Sequence, residues 1–228
     1  MSRSEVPLDV VIPVYNGRRH IAAAIRSALD QDGFDARVFV VDGNSTDGTP
    51  DEVRSMDDDR ITLVSDVGRI GIGEARNVGA RLGSSPWLTF LDADDLWPRR
   101  RTVPLLAAIV DPTNDIAIGH MIIFNDGDEP SLNVDIEPGD SPIATIAGGI
   151  LFSRALFYAV GEFPEDLGVG EFIEWMARAR ARGVVEKYVP VVALLRRYHE
   201  TNTTRTRQHE FSDYLTVIAR RRAAHRRN

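Results

Sequence analysis

The sequence predicts one α/β domain with a mostly parallel central sheet flanked by helices. Three observations lead to this prediction. Short runs rich in β-branched residues alternate with amphipathic stretches of helical length in the N-terminal half of the chain. Polar, turn-forming segments follow several of the runs. The 228 residues contain no internal repeat and no linker rich in Gly, Ser or Pro, which is typical of one compact domain.

The N-terminal half alternates strands with helices. Buried strands are predicted at 8–14, 37–41, 61–64 and 87–91, and helices at 21–29 and 73–82. The first helix shows the i, i+3, i+4 spacing of an amphipathic face in Ile21, Ala24, Ile25, Ala28 and Leu29. The segment 43–50 is a turn that caps a further helix, with Pro50 at an early helical position. Strands separated in this way pair in parallel, and their carboxyl ends border a ligand crevice.

The second half is less regular. Helices are predicted at 98–110, 170–182 and 211–222, and strands at 116–124, 143–152 and 188–197. The acidic, turn-rich segment 125–140 is predicted to be a mobile loop.

Composition excludes several classes of protein. The chain has no cysteine, so disulfides, thiolate metal sites and cysteine nucleophiles are ruled out. A net charge of −7 argues against nucleic-acid binding. No apolar run approaches the ~20 residues of a membrane helix, and the first residues lack the apolar core of a secretion signal. We therefore expect a cytoplasmic protein.

The C-terminal tail is basic, unlike the rest of the chain. From Arg196 onward there are nine arginines and three acidic residues. A solvated helix is the favoured interpretation of this tail. Contact with an anionic acceptor, a membrane surface or a neighbouring subunit in a homo-oligomer is the alternative.

A cluster of three carboxylates follows the fourth predicted strand, at Asp92, Asp94 and Asp95. Like charges held together need a compensating cation or hydrogen-bond donors. Carboxylate oxygens suit Mg²⁺ or Mn²⁺, which usually bind through one or two carboxylates and substrate phosphates. The alternative interpretation is an acidic turn that caps the helix predicted from Pro98.

Three further polar segments lie near the ends of the other predicted strands. Tyr15 ends the first strand segment and offers an aromatic ring for stacking on a base. Asp42 ends the second and can accept a hydrogen bond from a base N–H. Arg76 lies in a helix start that contains Gly71 and Gly73, and it suits a base carbonyl or a phosphate.

Taken together, these four segments closely resemble the family-2 inverting glycosyltransferases of the GT-A fold. They occur in that family's order over residues 8–97. The resemblance assigns base stacking to Pro13, Val14 and Tyr15, base reading to Asp42, and the conserved helix-start arginine to Arg76. It assigns the metal and diphosphate motif to Asp92, Ala93 and Asp94, with Asp94 as the direct ligand. One departure is Asp42-Gly43-Asn44-Ser45, where the family commonly has Asp-Asp-Gly-Ser.

The resemblance implies transfer of a sugar from a nucleotide diphosphate donor to an acceptor hydroxyl, with inversion and with Mn²⁺ or Mg²⁺ as cofactor. A UDP-sugar is the default donor, and guanine and thymine donors occur on the same scaffold. Residues 1–100 would form the nucleotide-sugar half, 101–207 the acceptor half and 208–228 a C-terminal helix. The acceptor is not identified by any motif.

The segment after the last predicted strand resembles an Arg-x-His-x-x-Asn motif of related GT-A enzymes. It contains Arg197, His199 and Asn202. The resemblance implies that His199 is a second metal ligand, beside arginines suited to the diphosphate. A histidine on the surface or at a cap is the alternative.

The acceptor-side motif departs from the family at the most consequential position. The family has Glu-Asp at a helix start, and this chain has Glu171-Phe172. Phenylalanine cannot take a proton, so Glu171 is the favoured general base and Glu174, three residues along, is its rival. Solvent-facing glutamates on an amphipathic helix are the alternative interpretation.

Other classes fit less well. A dinucleotide-binding oxidoreductase needs Gly or Ala where Arg76 stands. A sugar-phosphate nucleotidyltransferase normally has several essential lysines, and this chain has only Lys187. A GT-A module that binds nucleotide sugar without transfer remains an alternative because of Phe172.

Overall fold

The computed structural model describes residues 5–65, 67–128, 130–133, 141–167 and 169–199. The strands are β1 (Val6–Val14), β2 (Phe34–Asp42), β3 (Ile61–Val64), β4 (Trp87–Phe90), β5 (Asp115–Asn125), β6 (Ile150–Ser153) and β7 (Val185–Tyr198). The helices are α1 (Ile21–Leu29), α2 (Thr49–Arg54), α3 (Ile72–Leu82), α4 (Thr102–Ala108), α5 (Arg154–Val160) and α6 (Glu171–Ala181).

The seven strands form a sheet in the order β3-β2-β1-β4-β6-β5-β7. β1 is parallel to both β2 and β4, β2 is parallel to β3, and β5 is parallel to β7. Only β6 runs antiparallel to its two neighbours, β4 and β5. Six strands therefore share one direction, which confirms the prediction of a mostly parallel α/β fold.

The two largest apolar cores lie on the two faces of the sheet. Successive side chains of a strand point to opposite faces, and β1 supplies both cores with consecutive buried residues. Val10 and Ile12 join the core that contains α1, and Val11 joins the core that contains α3 and α6. Burial on both faces explains why β1 is an almost continuous apolar run rather than an alternating one.

Two predicted elements of the second half differ in the structure. The helix predicted at 98–110 is shorter, as α4 spans Thr102–Ala108. The strand predicted at 143–152 is a 3-10 turn, Ala147–Gly149, followed by β6. This turn is tight, because a Cβ on Gly149 would lie 2.2 Å from the Cβ of Ala144. The predicted helix 211–222 lies outside the described residues, as does 134–140 of the predicted mobile loop.

Helix α5 was not predicted from the sequence, although it has a local start signal. The Oγ of Ser153 accepts a hydrogen bond from the backbone N–H of Leu156 at 3.0 Å. A serine in this position satisfies an amide of the first turn that has no partner within the helix.

Backbone and side-chain bonds hold the loops at the carboxyl ends of the strands together. The backbone N–H of Asn16 donates to Ser45 Oγ at 2.7 Å, and the N–H of Thr46 donates to Asn16 Oδ1 at 2.8 Å. The loop after β4 is tied to β7, because Leu96 and Leu195 exchange two backbone hydrogen bonds of 3.0 and 2.9 Å. These ties bring residues distant in sequence to one rim of the sheet.

Within the described ranges, no helix combines the length and apolar character needed to cross a bilayer. The boundaries proposed at residues 100 and 207 stay predictions, because a single sheet includes strands from both halves.

Candidate functional site

A cleft of about 1250 Å³ opens at the carboxyl ends of the parallel strands. It collects segments from both halves of the chain, as the topology predicts. Nine of the eleven residues given a catalytic, nucleotide-sugar or metal role from the sequence line it: Pro13, Val14, Tyr15, Arg76, Asp92, Ala93, Asp94, Glu171 and His199. Asp42 and Glu174 are not among the lining residues.

Asp94 and His199 meet across the cleft floor although they are 105 residues apart. Nε2 of His199 lies 2.7 Å from Oδ2 of Asp94. The backbone bridge between Leu96 and Leu195 brings the end of β7 to the acidic loop and so accounts for this approach. The side chains are 31% exposed for Asp94 and 14% for His199, so both reach the cleft from a largely enclosed position.

Asp95 differs from the other two carboxylates of the loop because it is buried. Burial, together with the charges of Asp94 and Asp92, raises the pKa of Asp95 well above its usual range. Its Oδ1 accepts a hydrogen bond from the backbone N–H of Arg197 at 2.8 Å, and Nε of Arg197 donates to the carbonyl of Asp94 at 2.9 Å. Asp95 and Arg197 therefore hold the loop in place. Arg196, the residue before Arg197 in β7, lines the cleft.

The guanidinium of Arg76 is buried and joins two carboxylates. Nη2 lies 2.6 Å from Oδ1 of Asp92, and Nη1 donates to Oε1 of Glu171. The sequence predicted that Arg76 reads a base carbonyl or a phosphate. In the structure its guanidinium pairs with two of the protein's own carboxylates, and contact with a nucleotide stays a prediction.

Asp42 has one oxygen with a partner and one without. Oδ2 accepts a hydrogen bond from the N–H of Ser45 at 3.0 Å, whereas Oδ1 is buried and has no partner. Asp42 lines a neighbouring cavity of about 300 Å³ together with Asn44, Thr46, Arg54 and Ser65. A buried acceptor without a partner costs about 1–3 kcal/mol, so this oxygen suits an N–H donor supplied by a ligand.

Tyr15 presents the exposed aromatic ring that the sequence predicted, with 48% of the residue accessible. The guanidinium carbon of Arg69 lies 5.2 Å from the centroid of this ring. Sequence reasoning missed Arg69, although an arginine two residues before Gly71 was a signal for a cation at the rim. A base stacked on Tyr15 would therefore meet a cation as well as an aromatic face.

The two glutamates proposed as bases both lie on α6 but have different surroundings. Glu171 lies in the cleft. Glu174 instead pairs through Oε2 with Nε of Arg178 at 2.8 Å, one turn along the helix. Phe172 packs into the core against Phe163 and Trp175, with ring centroids 6.5 and 6.4 Å away. The structure thus brings Glu171 to the cleft and does not bring Glu174, its rival as the base, there.

Asp126 and His20 form a second polar group at the rim that the sequence did not reveal. Asp126 lies 2.7 Å from Nη1 of Arg19, 3.3 Å from Nη1 of Arg197 and 3.7 Å from Nε2 of His20. The rings of His20 and His199 are 5.7 Å apart between centroids. Burial, then the charge of Arg197, lowers the pKa of His20. No local pattern marks these residues, because tertiary contacts alone bring them together.

The described residues contain no group of three or more His, Asp or Glu side chains arranged to hold a metal ion. The pair formed by Asp94 and His199 nevertheless fits a divalent cation that completes its coordination with phosphate oxygens. One carboxylate oxygen and one imidazole nitrogen suit Mn²⁺ well, since imidazole favours the softer of the two expected ions.

The sheet and its crevice define an α/β protein of the GT-A type. A family model described as glycosyl transferase family 2 matches residues 9–157, and the chain belongs to this family. The matched range contains the acidic motif and ends before Glu171 and His199.

Curated relatives match parts of the chain. ExoO of Rhizobium meliloti, a succinoglycan biosynthesis protein, is 40% identical over 85 residues, which are 37% of this chain and 24% of that protein. WfgD of Escherichia coli, a UDP-Glc:alpha-D-GlcNAc-diphosphoundecaprenol beta-1,3-glucosyltransferase, is 33% identical over 90 residues, 40% of this chain and 36% of that protein. The chain spans well under half the length of these two relatives.

Solved structures share the fold at low sequence identity. TarS 1–349 of S. aureus in complex with UDP superposes with a TM-score of 0.71 at 19% identity, over 95% of this chain and 65% of that one. The mannosyltransferase PcManGT of Pyrobaculum calidifontis, in complex with GDP-Man and Mn²⁺, also gives 0.71, at 22% identity, over 95% and 64%. These likenesses confirm the predicted GT-A fold.

Proposed function

We propose that the protein transfers a sugar from a nucleotide diphosphate donor to an acceptor hydroxyl. The observation that carries this proposal is the convergence in one cleft of the stacking ring of Tyr15, the Asp94–His199 pair and the carboxylate of Glu171. Membership of glycosyl transferase family 2 supports it. So does the binding of UDP-GlcNAc by TarS, a neighbour in fold.

UDP is the proposed donor nucleotide. The free Oδ1 of Asp42 can accept the N–H of a pyrimidine whose ring stacks near Tyr15. In calorimetric titrations with Mn²⁺, we expect UDP to bind more tightly than GDP or ADP, and thymidine diphosphate, which presents almost the same edge, to bind about as well as UDP. A preference for a purine diphosphate would contradict the assignment of the base.

A divalent cation held by Asp94 and His199 would neutralise the diphosphate as it leaves. Asp92 would support donor placement from the same loop. We propose Mn²⁺ as the better cofactor and Mg²⁺ as the alternative. The open side of this pair faces the cleft, where phosphate oxygens can complete the coordination.

Replacing His199 with alanine tests this ligand set. We expect turnover to fall and the advantage of Mn²⁺ over Mg²⁺ to disappear, because the only imidazole proposed as a ligand is removed. The measurement is the steady-state rate at matched concentrations of each metal. His20→Ala, which removes the neighbouring imidazole, is the control expected to keep the metal preference. Retention of both rate and preference in His199→Ala would make this histidine structural.

Glu171 is the proposed general base of an inverting displacement. Its Oε1 accepts a hydrogen bond from Arg76, which leaves Oε2 to take the proton of the acceptor hydroxyl. The oxygen of the acceptor then attacks the anomeric carbon from the side opposite the leaving diphosphate. The positive charge of Arg76 compensates the carboxylate in its buried position.

One observation favours a second candidate, a module that binds nucleotide sugar without transferring it. Phe172 stands where the family has its catalytic aspartate, and it is packed in the core. Single-turnover assays with a library of acceptors distinguish the two functions. The acceptor, a homo-oligomeric state, a cytoplasmic location and contact of the basic tail with a membrane stay predictions, and residues 200–228 of the tail lie outside the described residues.

A further inference from the structure

A single arginine connects the acidic motif of the donor side with the helix of the acceptor side. Asp92 belongs to the loop after β4 and Glu171 is the first residue of α6, 79 positions later in the numbering. Arg76 contacts both carboxylates through different nitrogens. The Asp92 side chain is 38% exposed, so it can meet a ligand in the cleft while it holds the arginine.

The two carboxylates compensate the positive charge of the buried Arg76 guanidinium. Its side chain is 3% exposed, and its Nε has no hydrogen-bond partner. The rings of Phe90 and Phe163 are its aromatic neighbours, with centroids 5.9 and 5.8 Å from the guanidinium carbon. Charges that are shielded from water interact strongly. A change of charge at one carboxylate must therefore alter how the guanidinium binds the other.

The backbone at Glu171 is held close to helix α3. Gly170 has φ of 83° at the start of α6. Helix α3 packs closely there, because a Cβ on Gly73 would lie 2.7 Å from the carbonyl oxygen of Pro164 and 3.3 Å from the Cβ of Glu171. Arg76 lies on the same helix as Gly73, one turn further on. The two halves of the cleft thus meet in a tight, fixed contact.

We propose that Arg76 is a positioning residue that couples metal-dependent donor binding at the acidic motif to the carboxylate of Glu171. The proposal rests on the proposed function. A divalent cation held by Asp94 and His199 attracts the nearby carboxylate of Asp92 and so competes with Arg76 for it, and Glu171 stabilises the guanidinium when Asp92 turns to the cation. Without the charge of Glu171, Arg76 pairs with Asp92 alone and opposes the cation. Such coupling between two sites is reciprocal.

The test is a double-mutant cycle that uses the metal requirement of UDP binding. UDP affinity is measured by calorimetry over a series of Mn²⁺ concentrations. The Mn²⁺ concentration that gives half of the maximal gain in UDP affinity is then compared between the wild type and the variants. We expect Glu171→Gln to raise this concentration about fivefold, the lower end of usual coupling effects. In the Arg76→Gln background, the same substitution should change it by less than about twofold, because the connecting charge is gone.

Two further variants keep the test decisive. Glu162→Gln removes a carboxylate that pairs with Arg81, another arginine of α3, and should leave the Mn²⁺ requirement unchanged. If Arg76→Gln fails to unfold cooperatively, Arg76→Met replaces it. Methionine also removes the charge and keeps an unbranched side chain that fills irregular apolar space, so the effect of Glu171→Gln should again stay under about twofold.

The outcomes separate this inference from the proposed function. The first case is a wild-type protein that binds UDP in a Mn²⁺-dependent way. If Glu171→Gln then has the same effect in both backgrounds, or no effect in either, the coupling through Arg76 is overturned and the proposed function is not. A wild-type protein without metal-dependent UDP binding overturns the proposed function and the coupling that rests on it.

Discussion

Replacing Asp94 with asparagine is expected to abolish the metal-dependent part of donor binding. Asparagine keeps the shape of the side chain but removes the charge, and the Asp94–His199 pair then loses its only carboxylate. Loss of a residue that merely supports a metal ligand costs about 10–100-fold in affinity. Loss of the proposed ligand itself should exceed about 100-fold in the affinity gained from Mn²⁺, measured by calorimetry with UDP.

The control for this substitution is an aspartate of similar chemistry away from the cleft. Asp58 pairs with Arg60 at 2.6 Å and does not line the cleft, so Asp58→Asn should leave the Mn²⁺ effect unchanged. UDP affinity in the presence of a chelator should be similar in all three proteins, because only the metal contribution is removed. An unaltered Mn²⁺ effect in Asp94→Asn would show that the metal is held elsewhere.

The acidic motif was predictable because its signal is local. The largely apolar strand β4 and the carboxylates after it lie within a few residues, and the parallel topology places such loops at the crevice. The contact between Asp94 and His199 was predicted only through the family resemblance. The physical cause, the bridge between Leu96 and Leu195, is a tertiary hydrogen-bond pair that no sequence pattern specifies.

The surroundings of Arg76 show what the sequence alone did not predict. An arginine at a helix start beside a predicted nucleotide site is expected to face the ligand. In the structure it is buried because α3 packs against the start of α6, 95 residues later, and Glu171 supplies the compensating charge. The second half was also less predictable, since Gly148 and Gly149 turn the chain within what looked like one apolar strand.

The comparison of Glu171→Gln with Glu174→Gln has the largest expected effect on transfer. Both substitutions are isosteric and both lie on α6, so the helix itself is perturbed alike. With donor and Mn²⁺ at saturation, Glu171→Gln should lower the transfer rate by about 10²–10⁴-fold, the usual contribution of a positioned base. At saturating Mn²⁺, the change that Glu171→Gln makes in the Mn²⁺ requirement no longer affects the measured transfer rate.

Glu174→Gln should change the rate by less than about twofold. Glu174 takes part in an ion pair with Arg178 outside the cleft, and helical pairs of this spacing contribute only about 0.3–0.5 kcal/mol. Near-normal transfer in Glu171→Gln with a loss in Glu174→Gln would reverse the assignment. If neither substitution slows transfer, α6 does not supply the base. A third outcome is a wild type that binds UDP and transfers sugar to no acceptor. The protein is then a module that binds nucleotide sugar without transferring it, because Phe172 replaces the usual aspartate and Glu171 alone does not activate an acceptor hydroxyl.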